Sequence, residues 1–119
     1  MAKLIMLVDD DVDILESSQI MLRLEGINVI TAIDGEQAIQ IYKKNEPCLV
    51  FMDILMPKKD GFEAFNEIKN QDHNAKVIFV TGHQQDENKL QDAKKKGLLD
   101  FVEKPLTFDT YMQLIRKFA

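Results

Sequence analysis

Acidic residues concentrate at one point near the start of the chain. The stretch LVDDDVD, residues 7–13, contains four carboxylates in seven positions and begins where a short apolar run ends. Asp53 follows the apolar residues LVFM in the same way. Crowded carboxylates repel one another unless a cation lies between them, and a set of oxygen ligands favours a hard ion such as Mg²⁺. The pattern predicts a magnesium site in which Asp9 and Asp10 are ligands.

Two other polar residues come at the ends of apolar runs later in the chain. Thr81 directly follows the run that ends at Val80, and Lys104 lies just after the run that ends at Val102. A carboxylate beside a metal ion and a lysine can attack a phosphoryl group, because the cations neutralise the charge on the transferring oxygens. Asp53 is the candidate nucleophile. The Thr81 hydroxyl and the Lys104 ammonium could bind phosphoryl oxygens, so the set predicts a phosphoaspartate site.

The elements that must position these residues are visible in the hydrophobic pattern. Runs rich in Val, Ile, Leu and Phe show little alternation, which is typical of strands covered on both faces. Five strands are predicted, at residues 4–8, 27–33, 48–52, 76–80 and 98–102. Apolar spacings of three and four residues predict five amphipathic helices between and after them. The apolar stripe of the first helix comprises Ile14, Leu15, Met21 and Leu22, and Asp11 and Asp13 fit its cap and first turn.

This alternation of strands and helices predicts the fold class and the domain organisation. We predict one domain over residues 1–119, an α/β fold with a doubly wound parallel sheet, right-handed crossovers and the flavodoxin-like strand order 2-1-3-4-5. In that order the strands that precede Asp9, Asp53, Thr81 and Lys104 are neighbours. Ligands of such sheets bind at the carboxyl ends of the strands near the switch point, so the fold gathers these side chains into one site.

Composition restricts the class of protein further. The 119 residues carry 15 basic and 20 acidic side chains, and the net charge of −5 argues against nucleic-acid binding, because counterion release needs a basic face. The apolar runs are far shorter than the roughly 20 residues of a membrane span. The chain opens directly into a strand, and Cys48 is its single cysteine. We therefore expect a cytoplasmic protein whose domain binds neither nucleic acid nor a membrane.

Four motifs together resemble the receiver domain of two-component response regulators, in particular the chemotaxis-regulator type. They occur in the family's order and spacing, as LVDDD at 7–11, FMDILMPKKDG at 51–61, VTG at 80–82 and FVEKP at 101–105. The resemblance covers essentially the whole chain. It implies a phosphorylation switch rather than an enzyme that turns over a substrate. Self-phosphorylation from a phosphodonor and slow loss of its own phosphoryl group are the only reactions that the resemblance leads us to expect of it.

The resemblance also implies the phosphodonor and the metal ligands. A histidine kinase or a phosphotransfer protein would donate the phosphoryl group to Asp53. The Mg²⁺ ligands would be the side chains of Asp9, Asp10 and Asp53 and the backbone carbonyl of Leu55. An effector downstream would read the changed surface built by the fourth helix, the fifth strand and the fifth helix, and we expect a monomer in the unphosphorylated state.

A second group of residues would transmit the signal, again by resemblance. Thr81 and Lys104 would contact the phosphoryl group, and their movement would reorient the aromatic side chain of Phe101. The peptide bond between Lys104 and Pro105 is often cis in this family, against a base rate of about 5% for bonds that precede proline. These residues form the predicted switch.

Several positions depart from the family pattern or vary within it. Phe101 lacks the hydroxyl of the commoner tyrosine, so its coupling to the site would be steric. Leucines follow Gly97 where the family usually has alanine first, which would alter a partner surface. Leu55 and His83 occupy variable positions that help to set the rate of dephosphorylation in this family.

Other functions fit the same residues less well. The spacing of Asp9, Asp11 and Asp13 begins like an EF-hand loop, but Ile14 and Ile20 replace the required glycine and glutamate. A phosphatase of the haloacid-dehalogenase class also uses a strand that ends in Asp-x-Asp, but Asp13 stands where that class has Thr or Val, and a late acidic pair is missing. Flavin binding needs a hydroxyl-rich phosphate loop where this chain has acids.

Overall fold

The computed structural model describes residues 3–82 and 85–119, in which five strands alternate with five helices. The strands are β1 (Leu4–Val8), β2 (Asn28–Ala32), β3 (Leu49–Asp53), β4 (Val77–Thr81) and β5 (Asp100–Glu103). The helices are α1 (Val12–Leu24), α2 (Gly35–Asn45), α3 (Gly61–Gln71), α4 (Glu87–Lys95) and α5 (Phe108–Phe118). Each predicted strand is present, and its ends differ from the prediction by no more than two residues. None of the helices in the described ranges is long and apolar enough to cross a membrane.

The strands form one parallel sheet in the order β2-β1-β3-β4-β5, as predicted. β1 pairs with β2 on one side and with β3 on the other. The order of the strands therefore reverses between β1 and β3, which makes this the switch point at which such sheets bind their ligands. β4 and β5 continue the sheet on the β3 side.

Each face of the sheet carries its own hydrophobic core. Met6 and Val8 of β1 belong to the core beneath α2, α3 and α4, whereas Ile5 and Leu7 belong to the core beneath α1 and α5. Successive side chains of a strand point to opposite faces, so a strand covered on both sides needs apolar residues at every position. Burial on both faces explains the lack of alternation in the sequence, and it fixes the strand ends rigidly at one edge of the sheet.

The acidic stretch after β1 is divided between the sheet edge and the first helix. Asp11 is the N-cap of α1, because its side chain accepts hydrogen bonds from the backbone N–H groups of Asp13 and Ile14. Asp13 lies in the first turn, where the helix dipole favours a negative charge. Both predictions are confirmed. Ile14, which was predicted on the apolar stripe, is instead 41% exposed, because it faces a groove between α1 and the segment that contains Pro105.

Candidate functional site

The carboxyl ends of four strands bring the predicted site residues to one edge of the sheet. β3 ends on Asp53 and β4 ends on Thr81, while Asp9 and Lys104 directly follow β1 and β5. Backbone hydrogen bonds continue the sheet pairing past these ends. The N–H of Asp9 donates to the carbonyl of Ala32 at 3.1 Å, and the N–H of Lys104 donates to the carbonyl of Thr81 at 2.9 Å. The backbone that carries the site is thus part of the sheet itself.

Lys104 connects the two buried carboxylates of the site. Its Nζ lies 2.7 Å from Oδ2 of Asp9 and 2.9 Å from Oδ2 of Asp53. Asp9 and Asp53 are each only 6% exposed. Their other oxygens accept backbone hydrogen bonds, from the N–H of Asp11 at 2.9 Å and from the N–H of Ile54 at 2.8 Å. Both carboxylates are therefore held in fixed orientations, as a site for a defined reaction requires.

The charges of this cluster do not balance, since two buried carboxylates face one ammonium. Burial raises the pKa of Asp53 above its usual value, and the hydrogen bond from Lys104 opposes that rise without cancelling it. Burial by itself would lower the pKa of Lys104, but its hydrogen bonds to Asp9 and Asp53 raise the pKa above the usual value. Lys104 is accordingly a permanent cation at neutral pH. The cluster still carries an excess negative charge that a second cation would neutralise.

The donor groups around this excess charge suit a hard divalent cation. Asp9, Asp10 and Asp53 each offer one carboxylate oxygen, and these oxygens lie within 4.8 Å of one another. Asp10 is exposed while the other two are buried, so the cluster opens to solvent on one side. Mg²⁺ prefers oxygen ligands and retains several waters, which an open, all-carboxylate site permits. The residues present therefore fit the predicted metal.

Thr81 lies at the edge of the site with its side chain 1% exposed. Its Oγ1 accepts a hydrogen bond from Nε2 of Gln85 at a distance of 3.1 Å. Gln85 was not among the residues predicted from the sequence, because a glutamine in a loop carries no periodic or motif signal. Only the tertiary structure places its amide beside the threonine.

A cavity of about 450 Å³ opens beside Thr81. It is lined by Thr81, Gly82, Gln85, Glu87, Leu90, Phe101, Glu103 and Lys104. Phe101 is half-buried on β5 and also packs against the core beneath α3 and α4. The cavity therefore lies between the predicted phosphoryl contacts and the predicted switch aromatic, and it provides room for that ring to move.

The loop between β3 and α3 is held by close backbone contacts at two glycines. The N–H of Gly61 donates to the carbonyl of Ile54 at 2.8 Å, and the N–H of Gly35 donates to the carbonyl of Lys59 at 3.1 Å. A Cβ at Gly35 would collide with that same Lys59 carbonyl. No periodicity in the sequence distinguishes these two glycines. Their close contacts with the loop that contains Leu55 became visible in the tertiary structure.

The structure brings the central predicted residues together. Lys104 contacts both Asp9 and Asp53, Asp10 belongs to the same cluster of carboxylates, and Thr81 ends the neighbouring strand β4. Leu55 is 52% exposed on the loop after β3, and the Lys104–Pro105 bond is cis, as the resemblance implied. The expectation for His83 lies outside the described residues.

Comparisons with known proteins agree with this geometry. A family model described as the response regulator receiver domain matches residues 5–116. The chemotaxis protein CheY of Bacillus subtilis is 36% identical to this chain, over 98% of each protein.

Two solved structures combine a similar fold with a magnesium site. In the CheX–CheY–BeF₃–Mg²⁺ complex from Borrelia burgdorferi, the matching chain is 33% identical with a TM-score of 0.87; the match covers 97% of this chain and 87% of that one. The response regulator TrrA of Thermotoga maritima, in complex with Mg²⁺ and BeF, is 30% identical with a TM-score of 0.86, over 98% and 99% of the two chains. Receiver domains bind Mg²⁺ at an acidic pocket, and the phosphatase alternative finds no support. The chain belongs to the response regulator receiver family, as a CheY-like phosphoacceptor domain of two-component signalling.

Proposed function

We propose that Asp53 accepts the phosphoryl group, from a phosphohistidine of a histidine kinase or phosphotransfer protein. The observation that carries this assignment is the contact of Lys104 with both Asp53 and Asp9 at the buried end of β3. An oxygen of the Asp53 carboxylate forms the new bond to phosphorus, and the bond between phosphorus and the imidazole nitrogen breaks. The electron pair of that bond stays with the imidazole, which then takes up a proton. The same attack on acetyl phosphate would release acetate.

The metal assignment rests on the oxygen cluster. Asp9, Asp10 and Asp53 would hold Mg²⁺ through their carboxylates, together with the backbone carbonyl of Leu55. When bound, the metal supplies positive charge that offsets the charge of the attacking carboxylate and the phosphoryl oxygens. The excess negative charge of the cluster and its opening to solvent at Asp10 support this assignment.

Lys104 and Thr81 would then bind the product. A phosphoryl group on Asp53 brings a charge of about −1.5 to −2 at neutral pH, which attracts the Lys104 ammonium and the Thr81 hydroxyl proton. Movement of Thr81 and of the backbone around Pro105 would let Phe101 enter the adjoining cavity. The surface formed by α4, β5 and α5 would change as a result, and a downstream effector would bind one state in preference to the other.

The proposal extends to the molecule as a unit. We propose one receiver domain over residues 1–119, monomeric without phosphate and acting in the cytoplasm. It would be a switch that takes phosphoryl groups from a kinase or a small donor and loses them slowly. The family match and the relation to CheY support a receiver with a phosphodonor on one side and an effector on the other.

Intact-mass spectrometry after incubation with Mg²⁺ and acetyl phosphate tests the assignment of Asp53. The wild type should gain the mass of one phosphoryl group, and Asp53→Ala should gain none. Asp109→Asn is a matched control, because this acid is exposed in the first turn of α5, and it should behave as the wild type does. An adduct that persists in Asp53→Ala would move the phosphoacceptor to another residue. Sustained release of phosphate without a stable adduct would instead support an enzyme.

A further inference from the structure

Gln85 is placed to control the Thr81 hydroxyl. It lies in the connection from β4 to α4, directly before Asp86, the N-cap of α4. Its side chain turns back toward the sheet edge, where Nε2 donates to the Thr81 oxygen at 3.1 Å. Gln85 is half-buried and lines the cavity that also contains Phe101 and Lys104. A side-chain hydrogen bond thus connects the start of α4 to the candidate phosphoryl site.

The direction of this hydrogen bond matters for anion binding. A threonine hydroxyl has one proton to donate and two lone pairs that can accept. Because Gln85 donates to one lone pair, this hydrogen bond fixes the position of the oxygen without using the hydroxyl's own proton. A donor is what a phosphoryl oxygen requires. An acceptor at position 85 would have the opposite effect, since it would compete with the phosphoryl group for the same proton.

We propose that Gln85 is a positioning residue, which orients the Thr81 hydroxyl to donate to a phosphoryl group on Asp53. This inference rests on the proposed function of Asp53. Gln85 itself does not touch the reacting atoms in this arrangement and acts through Thr81. Its neutral amide also suits its position, because two acidic residues, Glu87 and Glu103, already line the cavity and would repel an anion. A third acid there would add to that repulsion.

Binding of beryllium fluoride provides the test. In the presence of Mg²⁺ it can bind to a carboxylate oxygen as a tetrahedral substitute for the phosphoryl group. The affinity for beryllium fluoride at saturating Mg²⁺ and the affinity for Mg²⁺ alone would both be measured by NMR titration. Gln85→Ala should weaken the affinity for beryllium fluoride about three- to tenfold, which is the effect of one hydrogen bond, and should leave the affinity for Mg²⁺ unchanged. Gln85→Glu should weaken it more, since a carboxylate can only accept from Thr81.

The controls separate positioning from a general structural effect. Gln91→Ala, an exposed glutamine on α4, should match the wild type in both titrations. In the background of Thr81→Ala, Gln85→Ala should have no further effect, because Gln85 would have no hydroxyl left to orient. These two results would support the inference, together with a loss of beryllium fluoride affinity in Gln85→Ala that leaves Mg²⁺ affinity unchanged.

Several outcomes would overturn it. If Gln85→Ala binds beryllium fluoride as tightly as the wild type does, the Thr81 hydroxyl needs no orientation by Gln85. If it binds more tightly, Gln85 keeps Thr81 from the phosphoryl group. An equal loss of Mg²⁺ affinity, or a loss that persists without Thr81, would show a structural role only. If the wild type binds no beryllium fluoride, the phosphoacceptor assignment fails first. If the wild type is phosphorylated and Gln85→Ala binds beryllium fluoride as tightly as the wild type does, only the inference about Gln85 is contradicted.

Discussion

At the scale of single residues, the site consists of charges that the folded chain confines without balancing. Asp9 and Asp53 are buried at adjoining strand ends, and Lys104 contacts both. Confining like charges costs stability, and such costs are typical of residues placed for function rather than for folding. Asp11, two positions after Asp9, is by contrast exposed, and its side chain accepts hydrogen bonds from backbone N–H groups at the start of α1. Neighbouring aspartates of one acidic run therefore differ in role because they differ in burial.

Removing the charge of Asp53 should stabilise the metal-free protein at neutral pH. Because burial raises the pKa of Asp53 in the folded state, ionisation of this carboxyl costs stability above that pKa, and the cost disappears as the pH falls through it toward the unfolded value. Asp53→Asn should thus raise the free energy of unfolding by on the order of 1 kcal/mol near pH 7, and the gain should shrink in acid. Urea denaturation in the presence of a chelator measures it across pH.

The control for this measurement is Asp109→Asn, which removes one exposed charge that the dipole of α5 favours and should therefore lower the stability slightly rather than raise it. A variant Asp53→Asn that is less stable than the wild type at pH 7 would contradict the expectation. Such a result would mean that the ion pair with Lys104 stabilises the fold by more than burial of the carboxylate costs.

At the scale of elements, the loop between β3 and α3 determines how the site is closed. Its backbone passes so near the start of α2 that position 35 has no room for a side chain. Asp34, the N-cap of α2, also lies 3.8 Å from Lys58 Nζ, and Lys59 forms an ion pair of 2.7 Å with Glu67 of α3. The loop that would present the Leu55 carbonyl to the metal is therefore supported by both neighbouring helices.

Gly35→Ala should destabilise the protein through this contact. The added Cβ would collide with the Lys59 carbonyl and break the hydrogen bond from position 35, so we expect a loss of about 1–3 kcal/mol in the free energy of unfolding. Gly82→Ala is the control, because a Cβ there would meet Lys104 at an ordinary 3.8 Å. Urea denaturation compares the two variants. Equal, small effects would show that the loop moves away from α2 at little cost.

At the scale of the whole molecule, two cores hold the sheet from both sides and leave the site at one edge. Five strands in a single sheet and a core on each face make the scaffold rigid around β1 and β3. Lys104 joins the carboxyl end of β5 to those of β1 and β3, so the site bridges elements far apart in sequence. Any ligand that binds these charges should therefore stabilise the whole fold rather than one segment.

Magnesium should accordingly raise the melting temperature. Binding to the folded state alone adds about 2.7 kcal/mol at a concentration 100 times the dissociation constant, which for a domain of this size is on the order of 10 °C. Asp10→Asn should lose most of this gain while its metal-free stability stays near that of the wild type, because Asp10 is exposed. Thermal scans with and without Mg²⁺ measure both. An undiminished gain in Asp10→Asn would place the metal elsewhere, and Asp109→Asn should retain the full gain.

The sequence by itself determined the fold class and the strand order, and it predicted which side chains meet at the carboxyl edge of the sheet. Short apolar runs without alternation are typical of strands covered on both faces, and in a doubly wound sheet the residues after such strands share one edge. The positions of Asp9, Asp53, Thr81 and Lys104 followed from that topology. The cap Asp11 was predicted as well, because capping depends on residues only a few positions apart.

Only the tertiary structure decided the contacts that depend on loop paths. Ile14 fits the apolar stripe by spacing but lies half-exposed in a groove, because the neighbouring segment does not cover it. Gln85 donates a hydrogen bond to Thr81, and Gly35 contacts the carbonyl of Lys59, and no periodicity in the sequence encodes either contact. The sequence pattern records which residues must be buried on regular elements. Distances between side chains on irregular segments depend on how different segments of the chain pack against one another. A local hydrophobic pattern contains no information about that packing.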